Sequence, residues 1–402
     1  MNISTSKVLA AAGMCAAVVL AGCGGGNAGD TTGPQTTTLR AFLTDAPSCG
    51  YDAVNVTVQK VRVHQSASAS ESDSGWTDIT LSPARKINLL NLNNGAVDQL
   101  GQTTLSAGHY KQIRLVLDAN TGTGLANSVV LSSGSGAEIS LDTPSAVQSG
   151  IKVNSDFDVV NGQTTDIVLD FDACKSIVAK GNGKYALKPV IKAVSAALNG
   201  IGGFINSAAH TMVSAQQNGV IIGSTVPNAS TGEFLLARLT PGTYDVVMTA
   251  DGRATTVIAS VPLTSTTSTV SVSTSSAPIT LPSAFTLPGS ISGTVTLSPA
   301  SATEPGYVAA QQTFSSGPKI TVKYQAADLD TGNYVLTSLP TVAPQLGVYN
   351  SKLPIVFAAQ SNTIPGTGQY TVEASATGYG SKTISPVDIF ILNAFNVNFS
   401  LQ

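Results

Sequence analysis

Charge is scarce in this sequence. Asp, Glu, Lys and Arg make up 11% of its 402 residues, well under half the share usual in soluble proteins. The net charge of −3 provides no basic surface for a phosphate backbone, so nucleic acid is excluded as a partner. Three histidines, four cysteines and one tryptophan leave little material for acid–base, metal or redox chemistry. No Gly-x-Ser-x-Gly elbow, His-Glu-x-x-His or Walker loop occurs anywhere in the chain. Disorder is excluded as well, because 42% of the residues are apolar. What fills the chain is Gly (38), Pro (19) and abundant Ser, Thr, Val and Ala. Short strands and turns suit that mixture and helical bundles do not. The length calls for more than one hydrophobic core.

The N-terminus reads as an address. Lys7 precedes an apolar run, Val8 to Leu20, too short to cross a bilayer as a helix but suited to a signal peptide spanning residues 1–22. Leu20-Ala21-Gly22-Cys23 resembles the bacterial lipobox. The resemblance implies lipidation of Cys23, a membrane partner held through that anchor and, with Gly24 next, placement in the outer membrane. Residues 23–38 lack apolar periodicity and read as a flexible tether. Cys15 leaves with the signal and Cys23 takes lipid, so Cys49 and Cys174 remain. Exported to an oxidising compartment, they are expected to pair as a structural disulfide.

Three β-rich segments follow: 39–198, 199–280 and 281–402. In the first, Val54, Val56 and Val58 alternate with polar residues, and Val61 and Val63 resume one step out of phase. That slip predicts a bulge near Gln59-Lys60. Gly181-Asn182-Gly183 predicts a hairpin turn. Gln65 to Gly75 reads as a solvated loop and Leu89–Leu100 as the one stretch with helical character, short and interrupted by Asn93-Asn94-Gly95. The other two segments look like diverged repeats. Gly232-Glu-Phe-Leu-Leu236 aligns with Gly332-Asn-Tyr-Val-Leu336, and Tyr244 to Gly252 aligns with Tyr370 to Gly378. The third carries an insertion at about Pro340–Pro365. A Gly turn leading into a tyrosine recurs at Tyr110, Tyr244 and Tyr370, which is the sequence form of a tyrosine corner. The expected fold is all-β: tandem antiparallel Greek-key or transthyretin-like sandwiches on a lipidated tether.

Two resemblances rest on these residues. Leu43-Thr-Asp-Ala-Pro47, the Val54–Val63 strand, Leu105–Tyr110, Ile113–Val116 and Leu169 through Val178 resemble a bacterial lipoprotein domain of unknown function, family 4382. It implies export and a β-rich fold, with no activity attached. Val213-Ser-Ala215, Gly232-Glu-Phe234, Leu239 and Pro241-Gly-Thr-Tyr244 resemble the carboxypeptidase regulatory-like domain, a transthyretin-type sandwich. That family implies an accessory module that stiffens, spaces or binds, an inference from fold analogy.

The remaining candidates are few. Asp170 and Asp172 sit two apart on a strand and share a face, and a Cys49–Cys174 bond would bring Asp45 near them. Three crowded carboxylates would suit Ca²⁺; the alternative is that each caps its own turn. No other cofactor is expected. Asp118–Gly122 and Asp328–Gly332 lack the full calcium-loop ligand register and read as Asx turns. His64, His109 and His210 are scattered and read as solvated. Trp76, Tyr307 and Tyr379 are the aromatics that could stack on a sugar, although Trp76 reads better as the buried start of a strand. The sequence therefore points to a non-catalytic cell-envelope lipoprotein with a structural or protein-interaction role. The alternative is a carbohydrate- or peptidoglycan-binding module, so the partner is either an envelope protein or a glycan.

Overall fold

The computed structural model describes residues 37–46, 50–121, 124–206, 208–359 and 363–402. The expected signal peptide, Cys23, Cys49 and the tether up to residue 36 lie outside the described residues. Residues 36–402 form one compact unit, and its described residues make six sheets and three hydrophobic cores.

In the first sandwich, Ile191–Ser195, Thr164–Asp172, Thr38–Ala46 and Asp98–Thr104 make a four-stranded sheet in that order. It faces an eight-stranded sheet built around Tyr51–His64. Alternation along that long strand buries Val54, Val56 and Val58, and then Val61 and Val63. The phase change between them is a bulge: the register shifts between Val58 and Lys60 against both neighbouring strands. Gly181-Asn182-Gly183 turns the hairpin between Ile177–Lys180 and Lys184–Leu187 with φ positive at all three residues. Leu89–Leu100 is not a helix beyond the 3₁₀ turn Leu89–Asn91. Asn93-Asn94-Gly95 ends it there, and Asn94 and Gly95 both take positive φ.

The second and third sandwiches match strand for strand. Glu233–Ala237 beside Gly200–Asn206 corresponds to Asn333–Leu339 beside Gly289–Leu297. The facing sheets run Val220–Thr225, Met212–Gln217, Gly242–Thr249, Thr256–Leu263 and Lys319–Ala326, Tyr307–Phe314, Gln369–Ser375, Lys382–Asp388. The aligned glycines explain why the repeat shows in sequence. Gly232 and Gly332 both hold φ near +70°, and a Cβ on either would collide with a backbone carbonyl, that of Ile205 or Val295. Each closes an Asx turn whose head, Asn228 or Asp328, accepts from the two amides before the glycine.

The tyrosines are corners. Tyr110 and Tyr244 donate their hydroxyls to the carbonyls four residues upstream, Ser106 (3.1 Å) and Thr240 (2.6 Å). Tyr370 donates to Pro340 (2.7 Å), which the glycine alignment makes the counterpart of Thr240. The insertion thus lies inside a preserved corner.

Two features add to the expected all-β architecture. The sheets are mainly antiparallel, yet parallel pairs occur, among them Thr38–Ala46 with Thr164–Asp172 and Gly289–Leu297 with Phe399–Leu401. The insertion also leaves its own sandwich. Its strand Gln345–Val348 pairs in parallel with Thr256–Leu263 of the second sandwich, and Ile355, Tyr349, Leu353 and Phe357 pack on that sandwich's core. An edge strand with unpaired N–H and C=O groups is thereby covered.

Candidate functional site

Asp45, Asp170 and Asp172 lie together at the joint between the first and second sandwiches. Parallel register sets Thr44 opposite Asp170 and Ala46 opposite Asp172. Asp45, Asp170 and Asp172 line one cavity of about 50 Å³, together with Lys192 and Arg238. Two of the three carboxylates already serve the turn that follows the strand. Asp45 Oδ1 accepts from Ala173 N at 3.0 Å. Asp172 caps the short helix Ala173–Ser176, its Oδ1 accepting from Lys175 N at 3.0 Å while Oδ2 lies 3.1 Å from Lys175 Nζ. Among the described residues, no group of three or more His, Cys, Asp or Glu is arranged to hold a metal ion. That gives the Ca²⁺ considered for these residues no support; Asp172 caps its own turn, as the alternative reading expected, whereas Asp45 accepts from the amide of Ala173, 128 positions away.

Asp170 differs from the other two. Burial raises its pKa to about 6; Lys192 opposes the shift, Asp172 adds to it, and Arg238 and Lys175 oppose it. Arg238 holds φ +55° and donates both terminal nitrogens to Gly95 O at 3.2 Å. Its Nε is buried without a partner, and burial lowers its pKa while Asp170 opposes that shift. Beside them Asn94 enters the second sandwich. Its amide N donates to Thr225 Oγ1 (3.1 Å), its Nδ2 to Val226 O (2.9 Å), and its Oδ1 accepts from Thr225 Oγ1 and Leu235 N. The sequence marked Asn94 only as an interruption; that it joins two domains depends on a partner 131 positions away.

Two further joints close the unit. Gln216 and Thr321, both buried, exchange amide bonds like a ladder rung: Gln216 Nε2 donates to Thr321 O and Thr321 N to Gln216 Oε1, each 2.8 Å. Between the first and third sandwiches, Gly181 N donates to Asp328 Oδ2 (2.7 Å) and Leu329 N to Ala179 O (2.8 Å). Lys188 pairs with Glu304, and Tyr307 donates to Lys175 O at 3.0 Å. Asp328 is thus an Asx turn, as its sequence suggests, and part of a domain joint besides.

The aromatics singled out for sugar stacking are otherwise engaged. Trp76 is half-buried and precedes the strand Thr77–Asn88 instead of opening it in the core. The Arg62 and Arg114 guanidiniums lie 4.9 and 5.2 Å from its ring centre, and its Nε1 donates to Ser70 O. The polar loop around it is solvated, as expected: every residue from Gln65 to Gly75 except Ala69 is exposed, and Arg114 and Gln112 donate to the Ala69 carbonyl. Tyr379 donates to Pro299 O, and Tyr307 sits in the joint described above.

His64 bonds backbone atoms of Ser66 and Ser74. His109 lies between Asp156 (2.6 Å) and Asp158 (2.8 Å), and His210 lies 2.6 Å from Asp251. Both pairs stand on open surface, and among the described residues no serine hydroxyl bonds either ring. Cys174 is disulfide-bonded; the other three cysteines lie outside the described residues.

Residues 36–189 match the model of a family described as a domain of unknown function, DUF4382. No curated protein matches the chain. Among solved structures it is similar to the Bacillus anthracis TIE protein (11% identity, TM-score 0.16, covering 92% of this chain and 51% of that one). It is also similar to the Streptococcal ancillary pilin (10%, 0.16, 90% and 98%) and to the Corynebacterium diphtheriae major pilin SpaA (10%, 0.19, 91% and 99%). The chain spans about half the length of the TIE protein. The class defined by the fold is an all-β, multi-sandwich protein whose first domain carries the DUF4382 match.

Proposed function

We propose that the chain is a non-catalytic lipoprotein of the cell envelope, anchored at Cys23 in the outer membrane, with a structural or protein-interaction role. The observation that carries this reading is the set of hydrogen-bonded joints. Asn94, Gln216–Thr321 and Asp328, with the strand Gln345–Val348 shared between sandwiches, tie three domains into one compact unit. A stiff spacer needs that construction, and an enzyme of independently moving domains does not. We read the second and third sandwiches as carboxypeptidase regulatory-like modules, on their shared strand order and glycine-closed turns. We pair Cys174 with Cys49, because Ala46 stands opposite Asp172 and the two cysteines follow those residues by three and two positions in the sequence. That bond suits an oxidising compartment.

Crosslinking in intact envelopes, combined with pull-down of residues 36–402 on a polysaccharide and peptidoglycan panel, tests the reading. It expects a discrete protein crosslink and no saturable glycan binding. Saturable binding to one glycan would replace it with the carbohydrate-binding alternative.

A further inference from the structure

The third sandwich ends in two apolar loops at one pole. Phe285 and Leu287 are 97% and 88% exposed, and Phe390, Ile391, Leu392 and Phe395 are exposed as well, Ile391 to 84%. The loops meet where Ser290 N donates to Asn393 Oδ1 and Ala394 N to Ser290 O, both 2.9 Å. Register fixes which pole this is. Phe390 flanks Gly368, just before Gln369–Ser375, and the far end of that strand, Ser375, pairs with Tyr307. Tyr307 touches the first sandwich, so the loops lie about 20 Å away along the strands, at the opposite end.

We propose that this pole docks on a lipid bilayer, its loops entering the acyl region. Monomeric proteins rarely expose a contiguous apolar patch of this kind without a partner. Side chains exposed to 84–97% stand clear of the fold; a fluid bilayer surrounds such a group, whereas a folded partner covers one side of it. The charge pattern favours the same medium. No Asp, Glu, Lys, Arg or His occurs from residue 254 to 303 or after Asp388, so insertion of these loops desolvates no ionised side chain within them. Backbone groups at the loop base are already paired: Ile389 N with Gly368 O, Phe390 N with Asp388 Oδ1, Leu287 O with Thr341 Oγ1. That pairing lowers the cost of leaving water. Docking is independent of the Cys23 anchor and of lipid charge.

The test uses residues 36–402, the compact unit that holds all three cores, which carries no anchor. It is co-sedimented with vesicles of pure phosphatidylcholine. Binding that survives high salt is expected, reduced roughly 100-fold or more by Phe285→Ser, Leu287→Ser and Ile391→Ser together. Thermal unfolding of that variant stays unchanged, because the three side chains are exposed. A Leu287→Trp reporter in a Trp76→Phe background is expected to be quenched by brominated acyl chains. Absence of vesicle binding, or binding without quenching, overturns the proposal. So does a concentration-dependent dimer, abolished by the triple variant, that forms while vesicles stay free; it would give the surface to a second copy.

Discussion

Replacing Asp170 with Asn removes an acid that the joint between the first two sandwiches holds at a cost. Its pKa in the folded chain is about 6, against an ordinary 3.8. Below pH 4 the acid is protonated folded or unfolded and contributes nothing to the pH dependence. Between pH 4 and 6 the unfolded chain ionises while the folded chain keeps its proton, so stability falls as pH rises. Above pH 6 the loss is complete and amounts to about 3 kcal/mol. Asn keeps the shape and removes the charge. Urea unfolding of residues 36–402 is therefore expected to show equal stability for the two proteins at pH 4. At pH 8 Asp170→Asn is expected to be more stable by up to about 3 kcal/mol. A less stable variant at pH 8 is the opposite outcome. It would mean that Lys192 and Arg238 hold Asp170 as a net-stabilising buried ion pair, whose half-removal costs about 3–5 kcal/mol.

Other outcomes follow from the corners, the shared strand and the disulfide. Tyr370→Phe leaves Pro340 O without its donor in a fully buried setting and is expected to cost about 1–3 kcal/mol by chemical denaturation; a neutral change removes the corner from the account. Cutting out residues 341–364 and rejoining Pro340 to Pro365 uncovers the edge of Thr256–Leu263. Size-exclusion chromatography is then expected to show oligomers, and a well-behaved monomer would show that the strand is dispensable. Peptide mapping without reduction is expected to yield a Cys49–Cys174 pair. Cys174→Ser is expected to lower stability by up to about 5 kcal/mol, the entropy of closing a loop of about 125 residues. A map that pairs Cys174 elsewhere contradicts that assignment.

Local chemistry was legible in the sequence and long-range placement was not. The bulge after Val58, the turn at Gly181-Asn182-Gly183 and the closures at Gly232 and Gly332 each depend on a few adjacent residues, so alternation and glycine placement reveal them. The tyrosine corners are readable for the same reason at Tyr110 and Tyr244. At Tyr370 the signal weakens because the acceptor, Pro340, lies 30 positions back. Gln216 and Thr321 look like ordinary strand residues, and nothing near either names the other across 105 positions. The strand Gln345–Val348 reads as an insertion, since the edge it covers belongs to a different domain. Trp76 misleads because burial is the usual fate of a tryptophan ahead of an alternating strand, whereas here arginines of neighbouring strands reach it first. For the apolar pole a signal did exist: Phe390-Ile-Leu392 breaks the period of two in a stretch without charge, which a strand packed on one face does not do.

If the three sandwiches behave as one stiff unit, hydrogen exchange at the joints between them will be slow. Amides of Asn94, Gly181, Leu235, Thr321, Leu329 and Gln345 each donate across a joint. These six are expected to exchange as slowly as core amides such as those of Val56, Val246 and Val372. Exchange at the rate of open surface loops, with the cores still protected, would show three domains moving separately and would contradict a single stiff unit.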